Sequence, residues 1–301
     1  MKPSRFTPSH FGILAILFAS ILFGTTGTVA SFAPNISALA IGAFAMGMGG
    51  VFQACLSIKP LKNDFEKILQ HKNTLIISVV ALAIYPLAFY SSMRLAGVAI
   101  GTVISISTAP FFSALLECLC QREKKISQAW LLSFVIGVVG IVLLITSKSS
   151  TDIELDPDLK LLGVVLGFVA ALTYAVYSWG AKRLIDAGIQ SQAAMGGIFG
   201  LGAMILLPTL FITGDNLFAS STNIMVIVYM ALIPMGLGYI AFGFGLRFVT
   251  ASSANLITLF EPVIAAILAV IVVGEAISLI GWIGIALILI CLLLQTKVAQ
   301  A

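Results

Sequence analysis

From Phe11 onward the sequence alternates between long apolar runs and short clusters of charged and turn residues. A helix needs roughly 20 mostly apolar residues, at about 1.5 Å each, to cross a bilayer. Cutting the chain at its polar clusters gives ten such runs, at 11–32, 36–57, 74–93, 97–119, 127–147, 161–180, 192–213, 223–246, 250–273 and 278–296. They are called spans 1 to 10 below. Several links are only a few residues long, notably Ala33–Asn35 and the turns around Arg94 and Arg247, so neighbouring helices must run antiparallel. The pattern predicts an all-α integral membrane protein with ten transmembrane helices.

Composition agrees. Of 301 residues, 60% are hydrophobic and 9% charged, with a mean hydropathy of +1.12. Soluble proteins are roughly 45–50% apolar and about 25% charged. Sixteen basic and 12 acidic side chains cannot coat a soluble protein of this length, which excludes a cytosolic enzyme, a secreted domain and a disordered chain. Lys2 and Arg5 precede an apolar run of about 22 residues, longer than the roughly 7–15 of a signal peptide. Positive charge collects in cytoplasmic loops. With a cytoplasmic N-terminus, 13 of the 16 Lys and Arg fall inside, and only Arg94, Lys148 and Lys160 outside. The last two flank Asp152, Glu154, Asp156 and Asp158. Both termini are therefore expected in the cytoplasm.

The chain also repeats itself. Pro110, Glu123 and Trp130 are spaced 13 and 7 apart, and so are Pro262, Glu275 and Trp282, 152 residues later. Arg94 and Arg247, which end the preceding spans, are offset by 153. Each half, 11–147 and 161–296, holds five spans, an odd number, so the second half must insert upside down. The expectation is two inverted five-helix repeats, a transporter architecture. The link with Glu123 is basic, whereas its counterpart with Glu275 has no Lys or Arg.

These residues resemble a known family. Leu95 to Leu144 and Phe248 to Leu294, each with its Pro, Glu and Trp, are similar to the paired domains of the EamA family of the drug/metabolite transporter superfamily. So are Gly24-Thr25-Thr26-Gly27-Thr28, Glu261-Pro262-Val263, and Gly274-Glu275 followed by Ser278. The first copy departs from the pattern, with Cys120-Gln121-Arg122 where a Gly is usual before the Glu. The resemblance implies ten helices, a central cavity and the movement of small metabolites, often amino acids and often outward.

Candidate chemistry sits on helix faces. Asn255, Thr258 and Glu261 recur at steps of three on span 9, as Thr102, Ser105 and Thr108 do on span 4. Each step precesses about 60°, so each set covers an arc of about 120°. Polar groups at membrane depth either face a cavity or bond across helices. Pro110 and Pro262 lie mid-span in matched halves, where an interruption points to a midplane site and a packing kink is the alternative. Tyr85 and Tyr174 are far enough from span ends to face a cavity, while Tyr90, Tyr177 and Trp179 fit an interfacial belt. Gly24 and Gly27 bracket Thr25 and Thr26, a patch read both as a close contact and as a cavity wall. Gly42, Gly47, Gly49 and Gly50 on span 2, and Gly196 and Gly200 on span 7, suit close helix approach.

Glu261 stands apart. It is the twelfth of about 24 residues in span 9, where an ionised group costs on the order of 2.5–3.5 kcal/mol. No Lys or Arg lies at its depth, so it is either protonated or ionised against a bound cation, for which a substrate ammonium or a coupling proton would serve. The alternative is a hydrogen-bonding role across helices, for example to a carbonyl freed by Pro262. The substrate-binding candidates are therefore Thr25, Thr26, Tyr85, Thr102, Ser105, Thr108, Tyr174, Asn255, Thr258 and Glu261.

Cys55, Cys118, Cys120 and Cys291 read as small hydrophobes, and His10 and His71 fall outside the spans, so neither catalysis, a metal nor a cofactor is expected. Basic residues scattered over short loops do not suit nucleic acid. The expected partners are a small metabolite and the bilayer. With the resemblance, the expected function is an inner-membrane secondary transporter, not an enzyme, exporting an amino acid or related zwitterion by alternating access. A larger adenosine-type metabolite, stacked on the aromatics, is the alternative.

Overall fold

The structure is a computed structural model describing residues 8–120, 126–146, 157–273 and 278–298. Among them there are helices and turns but no strands. In lipid every backbone polar group must be satisfied within the chain, which a helix does locally. The helices are α1 (Pro8–Gly24), α2 (Thr26–Ala30), α3 (Ala38–Leu56), α4 (Ile58–Asn63), α5 (Phe65–Gln70), α6 (Lys72–Ala96), α7 (Val98–Cys120), α8 (Gln128–Thr146), α9 (Pro157–Asp186) and α10 (Ser191–Thr213). After them come α11 (Ser221–Leu232), α12 (Tyr239–Gly245), α13 (Ala251–Ile257), α14 (Glu261–Leu268) and α15 (Leu279–Val298). Side-chain caps start several of them: Ser37, Ser220 and Thr250 accept from the backbone N–H three residues on.

Among the described residues eight stretches are long and apolar enough to cross a membrane: Ser9–Ala30, Ala38–Leu56, Lys72–Ala96, Ile100–Cys120, Asp158–Asp186, Ser191–Thr213, Ser221–Gly245 and Ala251–Val272. The predicted spans 5 and 10 coincide with two shorter apolar helices, Gln128–Leu144 and Leu279–Leu294. The chain is thus a multi-pass helical membrane protein, with eight candidate spans among the described residues by length and composition. Its outer face fits lipid: Phe211, Ile212 and Leu279 stand almost wholly exposed.

Packing follows the halves. α3 lies against α10, α7 against α13 and α8 against α15, each pair joining spans five apart. α6 lies against α9, and α1 against α12, two pairings that exchange under the same shift of five. Glycines show the direction of these helices. On α10, Gly196 meets Ser57 and Gly200 meets Ala54, while on α3 Gly50 meets Phe199 and Gly47 meets Leu207. Numbers rise on one helix as they fall on the other, so α3 and α10 are antiparallel. On α8, Gly140 faces Gly284 and Ile288, and Gly137 faces Cys291, so α8 and α15 are antiparallel too. Small residues at these crossings let the backbones approach.

Glu123, Gly274 and Glu275 lie outside the described residues, as do Gln121, Arg122, Lys148, Asp152, Glu154 and Asp156. The two repeat tryptophans are described and differ. Trp130 is buried and stacks on Phe134 at 5.4 Å, whereas Trp282 is half exposed.

Candidate functional site

Among the described residues three of the predicted spans, the first, eighth and ninth, are interrupted. The first breaks between α1 and α2 at Thr25, whose hydroxyl donates to the Leu22 carbonyl at 2.7 Å. The eighth widens into a π-helical segment, Ile233–Gly238, around Pro234. Gln53 on α3 reaches across to donate to the Met235 carbonyl at 2.9 Å. Such widened turns gather at functional sites.

The ninth breaks at Pro262. α13 passes into a 3-10 turn, Thr258–Phe260, and α14 restarts at Glu261. Pro262 thereby sits in the first turn of a new helix, where its missing N–H would have been unpaired in any case. The Thr258 carbonyl, four residues before the proline, accepts instead from the backbone N–H of Glu261. The Glu261 side chain is therefore not needed to satisfy that carbonyl. In the other half Pro110 leaves α7 unbroken, so the matched prolines differ in effect.

The three interruptions meet at one cavity of about 60 Å³. Phe23 and Thr26 come from the first break, Met235 and Tyr239 from the second, Thr258 and Glu261 from the third. The wall is completed by Gly42 and Met46 of α3, Tyr85, Pro86, Phe89 and Tyr90 of α6, Ser105 and Ile106 of α7, and Tyr174 of α9. A 3-10 turn nearly eclipses residues three apart, which aligns Thr258 with Glu261 more closely than an α-helical step would.

Six predicted residues meet at this wall: Thr26, Tyr85, Ser105, Tyr174, Thr258 and Glu261. Ser105 also donates to the Gly167 carbonyl at 3.2 Å, and Thr258 to the Asn255 carbonyl at 2.8 Å. Four lie elsewhere. Thr25 accepts from the Tyr229 hydroxyl at 3.1 Å, and Thr108 donates to the Ile104 carbonyl at 2.6 Å. Asn255 donates to Ser113 at 2.7 Å, joining α13 to α7. Thr102 is half-buried and does not line the cavity.

Tyr90 lines the cavity, its ring lying over Gly42, where a Cβ would collide with it. Tyr177 is buried in the core, its hydroxyl 2.7 Å from that of Tyr239, and Trp179 is buried with Arg183 5.2 Å over its ring. Phe23, Phe89, Met235 and Tyr239 were not among the candidates. A Pro and two Gly in 234–238 were the available signal that span 8 is irregular next to Tyr239.

Two electrostatic facts define the wall. Among the described residues lining it there is one carboxyl, Glu261, and no Lys, Arg or His. No hydrogen bond or ion pair engages the Glu261 side chain among the described residues. Six of the fifteen lining residues are aromatic: Phe23, Tyr85, Phe89, Tyr90, Tyr174 and Tyr239.

A bundle of apolar spanning helices, broken at three places around one cavity, is the build of a membrane transporter. The family model described as the EamA-like transporter family matches residues 10–146 and 161–296. The chain belongs to that family. It is 30% identical to the uncharacterized transporter YwfM of Bacillus subtilis over 285 residues, 93% of this chain and 92% of that one. It is 23% identical to the uncharacterized inner membrane transporter YicL of Salmonella typhimurium, with 92% of each chain covered. A solved crystal structure shares the fold with a TM-score of 0.79 at 17% identity, covering 96% of this chain and 97% of that chain.

Proposed function

We propose that this protein is a secondary transporter of the inner membrane, working by alternating access between two inverted five-helix halves, 11–147 and 161–296. It exports a small solute carrying an ammonium group, an amino acid or related zwitterion. The ten predicted spans then comprise the eight long stretches and the paired α8 and α15. The antiparallel crossings of α3 with α10 and α8 with α15 support the inversion.

One observation carries the substrate reading: a single unpartnered carboxyl, Glu261, at a helix break on the wall of an aromatic cavity. A charge at such depth is stabilised only by a partner. An ammonium supplies that partner, or a proton takes its place. Size favours the smaller of the two substrate classes. A water needs roughly 10–15 Å³, so 60 Å³ corresponds to about four to six waters. That suits a small amino acid better than adenosine, whose bicyclic base and ribose are several times larger. The test is counterflow of labelled alanine and labelled adenosine into proteoliposomes. Alanine should move and adenosine should not; flux of adenosine alone would overturn the size argument.

A further inference from the structure

We infer that, among the small ammonium solutes it takes, the central cavity binds those without a carboxylate more tightly than zwitterions of the same size, so that a primary or quaternary amine is a better ligand than the matching amino acid. This rests on the reading that Glu261 receives the ammonium, and adds what happens to the rest of the solute.

Among the described residues, six aromatics and a single carboxyl, Glu261, line the cavity. Tyr85 is central: its ring lies 5.2 Å from Tyr174 and 5.8 Å from Phe89. Phe23 and Tyr239, also in the wall, lie 4.7 Å apart. Ring faces carry negative quadrupole charge and attract cations, most strongly where water is excluded. The carboxyl favours positive charge, and so does any ring that turns its face to the solute.

A carboxylate in the same space has no equivalent. No Lys, Arg or His lines the described wall. The hydroxyl hydrogens of Ser105 and Thr258 are already given to the carbonyls of Gly167 and Asn255. Tyr239 shares its hydroxyl with Tyr177. What remains for a carboxylate is Thr26 and phenols, which donate hydrogen bonds but balance no charge. Ring faces repel an anion, and so does Glu261 when ionised. A solute that trades its carboxylate for a neutral group of the same shape escapes each of these penalties.

Alanine and alaninamide provide that comparison, being nearly isosteric and both carrying the ammonium. Lactamide, which lacks the ammonium, is the control. Binding to the purified full-length protein is measured by calorimetry at neutral pH. Alaninamide should bind at least about tenfold more tightly than alanine, with lactamide weakest, and Glu261→Gln should shrink the preference, because it removes the carboxylate but leaves the described wall without a cation. Equal or tighter binding of alanine, with lactamide still weak, overturns the charge selection but leaves the ammonium reading intact. Binding of lactamide as tight as that of the two ammonium compounds, or no binding of any of the three, overturns both.

Discussion

Glu117 on α7 accepts two hydrogen bonds from Ser252 on α13, one from its hydroxyl at 2.6 Å and one from its backbone N–H at 3.1 Å. Both residues are buried, and 135 residues of chain separate them. The contact joins the last turns of α7 to the first turn of α13, the fourth span to the ninth, at the end predicted to be cytoplasmic. Any motion that parts these helices there must break it.

Removing this acceptor strands the buried backbone N–H of Ser252 and leaves its hydroxyl only Thr250, 3.1 Å away. Hydrogen bonds to a charged group contribute roughly 1.5–3 kcal/mol. Glu117→Ala should therefore lower the melting temperature in detergent clearly, while Glu117→Gln, which keeps one acceptor oxygen, loses less. An Ala variant as stable as wild type would show that the contact adds nothing.

The glycine crossings give a sharper contrast. A Cβ on Gly284 would lie 2.7 Å from the backbone nitrogen of Leu144, and backbone cannot step aside as a side chain can. A Cβ on Gly27 would meet nothing within 4 Å. Gly284→Ala should destabilise on the order of 1–3 kcal/mol, as overpacking does. Gly27→Ala should be silent. Equal melting temperatures for the two variants would contradict the close approach of α8 and α15.

Access to the cavity can be read by cysteine labelling. Thr258→Cys and Ser105→Cys should react with small aqueous thiol reagents, and alaninamide should slow the reaction. Asn255→Cys, on the same predicted arc but packed against Ser113, should stay inert. Inertness of both lining positions in an active protein would favour a packing role for these hydroxyls.

Topology has its own test. If the ten-span topology holds, 13 of 16 basic residues fall on one side, so a reporter fused after Ala301 should read cytoplasmic and one inserted at Asp156 external. Two readings on the same side would contradict the ten-span count.

Much of this architecture is legible in the sequence, because apolar length has one physical meaning in a bilayer. Eight predicted spans coincide with stretches long and apolar enough to cross and two with shorter apolar helices, while Gly47, Gly50, Gly196 and Gly200 sit at a real crossing of spans 2 and 7. The site was legible where a polar residue stood alone in an apolar run, as Glu261 and Thr258 do. It was not where a hydroxyl bonds back to its own helix, as Thr108 does to Ile104, because hydropathy does not distinguish the two uses. Aromatics were hardest. Tyr90 and Tyr177 carry the composition of an interfacial belt, and only the crossing of α6 and α9 turns them inward. Tyr239 needed knowledge of the wide turn at Pro234.

The account turns on Glu261, and flux through the Glu261→Gln variant tests it most directly. Uptake of labelled alaninamide and alanine into proteoliposomes would be measured for wild type and variant at two pH values, alongside melting temperature. The Gln side chain is nearly isosteric, and the Thr258 carbonyl is already satisfied by the backbone N–H of residue 261, so the variant should insert and melt like wild type. It should nevertheless lose most of the flux, or its pH dependence. Wild-type flux with unchanged pH dependence in the Gln variant would contradict the central claim.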